Sequence, residues 1–176
     1  LSLVGSEMCI RDSNMIILCY KRYFGGNMAY VGKYNHQLDQ KNRLRIPAKL
    51  KGELGENFAI VRGTSGCLFI YSAEQFAALY EAKAKEISFV TEEGKEATDA
   101  LRKMVATMSV PEEDNQGRFI LDANLRKVAK INKNVVFVGM FDRIELWAAE
   151  VYEERFKELD DDEYDKALEP LGKFGF

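Results

Sequence analysis

Alternating apolar and polar residues predict short strands in the first half of this chain. The alternation is clear over residues 30–38, and residues 39–42 then have the composition of a turn. We interpret residues 43–46 as the returning strand of a hairpin with that turn at its tip. Two further strands are predicted over residues 58–62 and 67–71. The pattern therefore favours antiparallel β-structure joined by tight turns.

Apolar residues at helical spacing follow the strands and predict longer helices. One helix begins after Ser72, because Ser72 and Gln75 have the spacing of a capping box. A middle helix follows Gly94, and a last helix carries the apolar stripe Val151, Tyr152, Phe156 and Leu159. Such stripes indicate packing surfaces rather than cofactor contacts.

Turn and cap residues predict the local geometry between these elements. Asn42 and Gly117 belong to the residue types that best tolerate a positive φ, so both turns should need that conformation. Pro47 suits the first position of a short helix and Gly52 its end. Asp122 would act as the N-cap of the equivalent helix later in the chain.

The chain contains the same supersecondary unit twice. Asp-x-x-x-Arg occurs at Asp39–Arg43 and again at Asp114–Arg118, 75 positions later, and the residues that follow each motif align. Each copy holds only about 45 residues, too few to bury an adequate core alone. We therefore expect the two copies to share one core, within one chain or across chains.

Domain boundaries follow from this repeat. We place the first copy and its following helix at residues 28–92, and the middle helix, the second copy and the last helix at residues 93–160. Residues 161–176 are predicted to be an acidic tail. Residues 1–27 fall outside the repeat and are expected to be non-native or disordered, with the true start at Met28.

Composition limits the class of protein. With 47% hydrophobic and 30% charged residues the chain should be globular, and no apolar run reaches the roughly 18–20 residues of a membrane span. His36 is the only histidine and has no Cys or His partner at ligand spacing, which argues against a metal site. Cys67, alone in the body of the chain, is interpreted as a small buried hydrophobe of an intracellular protein. We expect neither a cofactor nor an enzyme.

The net charge of −3 conceals a strong asymmetry. Residues 28–55 contain six basic and two acidic residues, a charge of +4, whereas residues 150–169 contain three basic and ten acidic residues, a charge of −7. A basic hairpin on an acidic chain indicates contact with nucleic acid. The alternative, that these lysines merely solvate a strand edge, fits the charges equally well.

The two motifs and their flanks resemble those of the MraZ family of transcriptional regulators, within the SpoVT-AbrB group. The resemblance runs from Met28 to about Leu159. Beyond the motifs it rests on residues 32–39, Arg43-x-x-Ile46-Pro47, Gly66-Cys67-Leu68-x-x-Tyr71 and Gly139-x-x-x-Arg143-x-Glu145-x-Trp147. Two motifs in order, with these flanks, are more specific than one motif alone.

The resemblance implies a fold that is mainly β with peripheral α-helices. In the SpoVT-AbrB group two swapped hairpins interleave into one small β-barrel, so two tandem repeats in one chain would form one barrel with pseudo-two-fold symmetry. Subunits of the MraZ type then assemble into closed homo-oligomeric rings, typically of eight or twelve. The helices after each repeat are the candidate interfaces.

The resemblance also implies a function. It indicates a sequence-specific regulator that binds short G-rich repeats in double-stranded DNA and represses its own division and cell-wall operon. Such a protein would be cytoplasmic and associated with the nucleoid. The alternative is an AbrB-like antitoxin that neutralises a partner toxin, although such antitoxins normally carry one copy and a disordered tail.

The residues expected to contact DNA lie mainly in the first copy. Lys41 and Arg43 occupy the matching motif positions, and arginine can bind guanine O6 and N7. Asn42 replaces the family's usual glycine and could add a hydrogen bond or crowd the groove. The predicted phosphate contacts are Lys33, Arg45 and Lys49. In the second copy Gln116 replaces Lys41, so Arg118 is expected to contribute less.

Asp39, Asp114 and Gly117 are expected to shape the two turns rather than to contact DNA. An aspartate can accept amide hydrogen bonds within its own turn. For Arg43 two interpretations stay open at this point. It faces DNA, or it pairs with Asp39 and only holds the hairpin together.

Overall fold

The structure is a computed structural model that describes residues 30–87, 91–157 and 159–174. The predicted non-native segment 1–27 and the proposed start Met28 lie outside these residues. The first half contains β1 (Lys33–Gln37), β2 (Arg43–Arg45), α1 (Ala48–Leu54), β3 (Phe58–Arg62), β4 (Leu68–Ser72), α2 (Ala73–Glu86) and α3 (Glu92–Ala106). The second half contains β5 (Arg118–Ile120), α4 (Ala123–Val128), β6 (Asn134–Gly139), β7 (Ile144–Ala148), α5 (Ala149–Arg155), α6 (Asp161–Leu168) and a 3₁₀ segment (Glu169–Phe174).

Five strands form one antiparallel sheet in the order β1-β6-β7-β4-β3, and β2 pairs with β5 in a separate two-stranded ribbon. A backbone hydrogen bond of 3.0 Å from the Asp39 N–H to the Arg43 carbonyl closes the first turn. The strands on its two sides nevertheless join different sheets, because β1 pairs with β6 and β2 with β5. The predicted local hairpin between residues 30–38 and 43–46 is therefore wrong.

The predicted fold, mainly β with peripheral helices around one pseudo-two-fold barrel, is confirmed only in part: the described strands are antiparallel, but they do not close into a barrel. The described residues hold six α-helices beside seven strands, and the sheet ends at β1 and at β3, so the fold is mixed α/β without a closed barrel in the described part. Beyond β3 the chain makes one isolated bridge, between Ile60 and Ser109, with N–H···O distances of 2.8 and 2.9 Å. Pro111 follows and has no N–H to extend this ladder.

The main core lies beneath the ribbon. Leu44 of β2 and Phe119 of β5 are each 1% exposed, and they pair directly across the ribbon. The rings of Phe119 and Phe58 lie 5.2 Å apart in an edge-on arrangement. Leu50 of α1 and Leu125 of α4 join the same cluster, so both short helices are anchored where the ribbon meets the sheet. The inner face of the ribbon is thus fixed by packing.

The helix ends follow the predicted chemistry in part. The capping box at Ser72 is confirmed, because the Gln75 N–H donates to Ser72 Oγ at 3.1 Å and the Ser72 N–H donates to Gln75 Oε1 at 3.3 Å. The predicted end of α1 at Gly52 is wrong. The helix continues to Leu54, which is 1% exposed, and Gly55 ends it with a φ of 77°. Burial of Leu54 outweighs the cost of about 1 kcal/mol for a glycine inside a helix.

The later helices differ from the prediction at their boundaries. The middle helix α3 starts before Gly94, since Thr91 is its N-cap and accepts the Gly94 N–H at 3.1 Å. The segment predicted as an acidic tail contains α6, which begins with a capping box formed by Asp160 and Glu163. None of the described helices is long and apolar enough to cross a membrane.

Candidate nucleic-acid interface

The outward face of the ribbon (β2, β5 and the turns at residues 39–42 and 114–117) carries most of the predicted DNA contacts. Because side chains alternate along a strand, the neighbours of the buried Leu44 and Phe119 point away from the core. These outward positions hold Arg43, Arg45, Arg118 and Ile120. In the register Arg45 lies opposite Arg118, and Arg43 lies opposite Ile120. Three arginines therefore share one face with a single isoleucine.

The first turn is built around the carboxylate of Asp39. Its Oδ1 accepts the backbone N–H groups of Lys41 at 2.8 Å and of Arg43 at 2.9 Å. Its Oδ2 accepts from Nε of Arg43 at 2.7 Å and pairs with an Nη of the same side chain at 2.7 Å. Asn42 stands between them with a φ of 58°, so the predicted positive φ is confirmed.

The second turn repeats this arrangement around Asp114. Oδ1 accepts the backbone N–H groups of Gln116 at 2.9 Å and of Arg118 at 3.0 Å, and Oδ2 accepts from Nε and an Nη of Arg118 at 2.9 and 2.7 Å. Gly117 has a φ of 68°, again as predicted. Each aspartate thus satisfies two amides of its own turn and fixes the arginine four residues later.

Arg43 also connects the two turns. An Nη of Arg43 donates to Oδ2 of Asp114 at 3.3 Å, so one arginine holds carboxylates from both turns. Hydrogen bonds from the Arg43 backbone and side chain lower the pKa of Asp39 to about 2. The Arg118 side chain and then its backbone lower the pKa of Asp114 to about 2. The pairing of Arg43 with Asp39, one of the two interpretations from sequence, is present in this structure.

The remaining predicted contacts are placed less uniformly. Lys41 and Lys49 are exposed, and among the described residues neither forms a salt bridge. Arg45 is exposed and donates to the backbone carbonyl of Gln116 across the ribbon. Lys33 is not on the ribbon, because its Nζ lies on the sheet edge, 4.8 Å from the ring centre of Tyr152 in α5.

Comparison with known proteins identifies the family. A family model described as "MraZ protein, putative antitoxin-like" matches residues 29–100 and 104–171. The transcriptional regulator MraZ of Thermoanaerobacter pseudethanolicus is 42% identical over 124 residues, which cover 70% of this chain and 84% of that protein. The transcriptional regulator MraZ of Clostridium tetani is 36% identical over 146 residues, covering 83% and 99%. This chain belongs to the MraZ family. The family resemblance predicted from the sequence is confirmed.

Both Asp-x-x-x-Arg turns fall within the MraZ match, one in each matched segment. The structure adds a pair of contacts between the two halves that sequence reasoning missed. Nζ of Lys51 lies 2.5 Å from Oε2 of Glu113, and an Nη of Arg126 donates to Oδ1 of Asn42 at 2.9 Å. Lys51 and Arg126 are 75 positions apart, as the two motifs are, so the repeat itself was the signal that could have revealed them.

Cys67 and His36 were also singled out from the sequence of this member of the MraZ family, and both pack within the fold. Cys67 is 1% exposed, and its burial raises the pKa of the thiol to about 12, which fits the predicted buried hydrophobe. The ring of His36 lies edge-on to Phe137, with centres 5.6 Å apart. Over the described ranges of the chain, no group of three or more His, Cys, Asp or Glu side chains could hold a metal ion.

Proposed function

We propose that this chain is a sequence-specific transcriptional regulator that binds double-stranded DNA through the outward face of the ribbon. The observation that carries the proposal is the set of three arginines on a two-stranded ribbon whose inner face is packed into the core. The major groove of B-DNA is about 12 Å wide and accepts such a ribbon. The names of the MraZ relatives as transcriptional regulators support this use.

The positive charge of the ribbon also supports DNA binding through its outward face. Lys41, Arg43, Arg45 and Arg118 give four positive charges against the two carboxylates of the turns, which leaves a charge of +2. Arg43 uses three of its N–H groups on Asp39 and Asp114. An arginine has five such donors, so two remain for a guanine. In this proposal Arg43 is fixed by the turns before DNA arrives, and Lys41, Arg45 and Lys49 meet phosphates or base edges.

The two repeats are proposed to interleave in one pseudo-symmetric unit. Leu44 and Phe119 occupy equivalent positions of the two copies and face each other at the centre of the ribbon. Among the described strands, three pairs join the two halves: β1 with β6, β2 with β5 and β4 with β7. The domain limits at residues 28–92 and 93–160 therefore describe copies along the chain rather than separate folding units.

Assembly into a ring is the second part of the proposal. One apolar groove between α2 and α3 is lined by Tyr80, Ala84, Ile87, Leu101 and Val105. Other exposed apolar residues follow α5 near the C-terminal end: Tyr164, Leu168, Leu171 and Phe174. Two different surfaces on one chain suit a head-to-tail contact, which closes into a ring when the rotation allows it. We propose a ring of eight or twelve subunits that acts on the nucleoid.

A ring would strengthen operator binding by presenting several ribbons to several DNA repeats. Linked contacts of this kind raise avidity by roughly 10²–10⁴ without any new contact. Inserting half a helical turn between operator repeats should therefore weaken binding sharply. Unchanged affinity for the altered spacing would contradict the ring mechanism and leave binding by a single ribbon.

The proposed DNA contact is tested by a mobility-shift titration on the upstream region of the chain's own gene, repeated over a salt series. Arg45→Ala should weaken binding and reduce its salt dependence, since a lost phosphate contact lowers the slope by about 0.9. Arg62→Ala is the matched control, an exposed arginine at the end of β3. Arg43→Ala should reduce discrimination between this region and random DNA. Equal binding by Arg45→Ala and Arg62→Ala would refute the ribbon as the binding surface.

A second candidate, an antitoxin, is favoured by the wording of the family description. It predicts a stable complex with the product of a neighbouring toxin gene. Co-expression with each adjacent gene product, followed by co-purification and a growth assay, tests it. Rescue of growth by the Arg45→Ala variant together with loss of DNA binding would favour the antitoxin over the regulator.

A further inference from the structure

Both copies place an apolar side chain on the inner face of the ribbon, but on the outer face they differ most in character at one position. Arg45 and Ile120 are equivalent residues of the two copies, 75 positions apart, yet one is cationic and the other apolar. Ile120 is 64% exposed, although its neighbours Phe119 and Leu121 are each 1% exposed. Ile120 therefore lies outside the protein's own core and leaves most of its apolar surface in contact with solvent.

We propose that Ile120 contacts the 5-methyl group of a thymine, so that the ribbon reads an asymmetric site with a guanine at Arg43 and an A·T pair beneath Ile120. This inference rests on the proposed binding of DNA by the ribbon. Among the base-pair edges in the major groove, the thymine methyl is the apolar feature that an aliphatic side chain can recognise. The surrounding arginines bring the isoleucine to DNA rather than to an apolar surface.

The spacing of the ribbon suits this reading. A strand advances about 3.3–3.4 Å per residue, close to the roughly 3.4 Å between stacked base pairs. Arg43 and Arg45 are two residues apart and would span about two base-pair steps. Ile120 lies directly opposite Arg43 in the register, so its thymine would belong to a base pair next to the G·C pair that Arg43 contacts.

The second turn also carries a side chain suited to A·T pairs. Gln116 stands at the position of Lys41 in the first turn and is exposed, while its backbone carbonyl accepts from Arg45. A glutamine amide can pair with adenine N6 and N7, whereas a lysine prefers guanine or phosphate. The first copy thus presents donors for G·C pairs, and the second copy presents a glutamine and an isoleucine for A·T pairs. One ribbon would in this way have a defined direction on its site.

The experiment removes single methyl groups from the DNA. Duplexes that the full-length chain selects from a random library are synthesised with deoxyuridine in place of each thymine in turn, and the dissociation constant is measured for each. One replacement should weaken binding about fourfold, the value of one buried methyl group. With the Ile120→Ala variant the same replacement should cause no further loss, while Ile120→Val should retain part of it.

Each other outcome overturns the inference. If wild type prefers the selected duplex but tolerates every deoxyuridine, Ile120 does not read thymine, and the proposed DNA binding still stands. If Ile120→Ala changes the assembly size in light scattering and leaves the deoxyuridine effect intact, Ile120 is a contact between subunits instead. If no duplex is selected at all, the proposed function fails and this inference fails with it. Urea unfolding of both variants verifies that they fold.

Discussion

The turn at residues 39–43 and the turn at residues 114–118 are built from the same hydrogen bonds but present different side chains. In each, one aspartate accepts two amides of its own turn and the arginine four residues later. Between the aspartate and the arginine, the first turn carries Lys41 and Asn42, and the second carries Gln116 and Gly117. The comparison separates the residues that build the turn from those that can vary on it.

The arginine network is less symmetric than the turns themselves. Oδ2 of Asp114 accepts from Arg118 and from Arg43, whereas the donor to Oδ2 of Asp39 within the described part of the chain is Arg43. Asp114 therefore contacts arginines from both strands of the ribbon. The two motifs are identical in the sequence, but their arginine contacts in the structure are not symmetric.

The inner face of the ribbon should tolerate substitution least, in either half. Phe119→Ala should lower the free energy of unfolding by about 3–5 kcal/mol and Leu44→Ala by about 2–5 kcal/mol, because both side chains are 1% exposed. Phe119 also loses its edge-on contact with Phe58. Urea denaturation followed by circular dichroism measures both losses. Ile120→Ala, on the outer face, is the control and should cost under about 1 kcal/mol. Equal losses for Phe119→Ala and Ile120→Ala would contradict this packing.

Turn chemistry could be predicted from the sequence, because it depends on neighbouring residues. Asn42 and Gly117 were expected to have positive φ and do, and the caps at Ser72 and Asp122 form as predicted. These features need only a few residues and no distant partner. The end of α1 was mispredicted because burial of Leu54, a tertiary effect, carries the helix past Gly52.

Strand pairing could not be predicted from alternation. A period of two shows which residues face inward but does not name the partner strand. The partner of β1 is β6, about 100 residues later, rather than its neighbour β2. The sheet does not continue beyond β3, because Pro111 follows the isolated bridge at Ser109 and has no N–H to extend it. The residues of the candidate site could be predicted from the sequence. The hydrogen bond from Arg43 to Asp114 could not, because it depends on the pairing of β2 with β5.

The two aspartates should differ in how much stability they supply and share one pH dependence. Both have a folded pKa lowered to about 2, below the roughly 3.9 of an unfolded chain. Their contribution is therefore full above about pH 4 and is lost as the pH falls through 2. Asp114→Asn should destabilise more than Asp39→Asn at pH 7, because Asp114 accepts from both arginines.

Urea unfolding from pH 7 to pH 2 measures this difference. Each asparagine variant should lose stability less steeply than wild type between pH 4 and pH 2, since the titrating carboxylate is gone. Wild type and Asp114→Asn with the same slope in that interval would show that the network contributes nothing. Equal effects of the two variants at pH 7 would show that the contact between Arg43 and Asp114 is not significant.

Gln116→Lys should make the second turn resemble the first in charge. One added phosphate contact steepens the dependence of log affinity on log salt by about 0.9, with tighter binding at low salt. Fluorescence anisotropy on a fixed duplex at several salt concentrations measures the slope. Thr64→Lys adds the same charge in the turn between β3 and β4 and should leave the slope unchanged. If both variants steepen it equally, the gain comes from overall charge rather than from the ribbon.

The smallest effects are expected at the positive-φ positions, where the two turns use different residues for one conformation. Asn42→Gly suits a φ of 58° but loses the hydrogen bond with Arg126, so these changes should nearly cancel. Asn42→Ala loses the bond and keeps the left-handed strain, and it should be about 1 kcal/mol less stable than Asn42→Gly. At Gly117 an added Cβ would lie 3.7 Å from Nε of Arg45, so Gly117→Asn has room and should cost little. Urea unfolding of the three variants compares them, and Ala as stable as Gly at position 42 would show that the turn relaxes to another conformation.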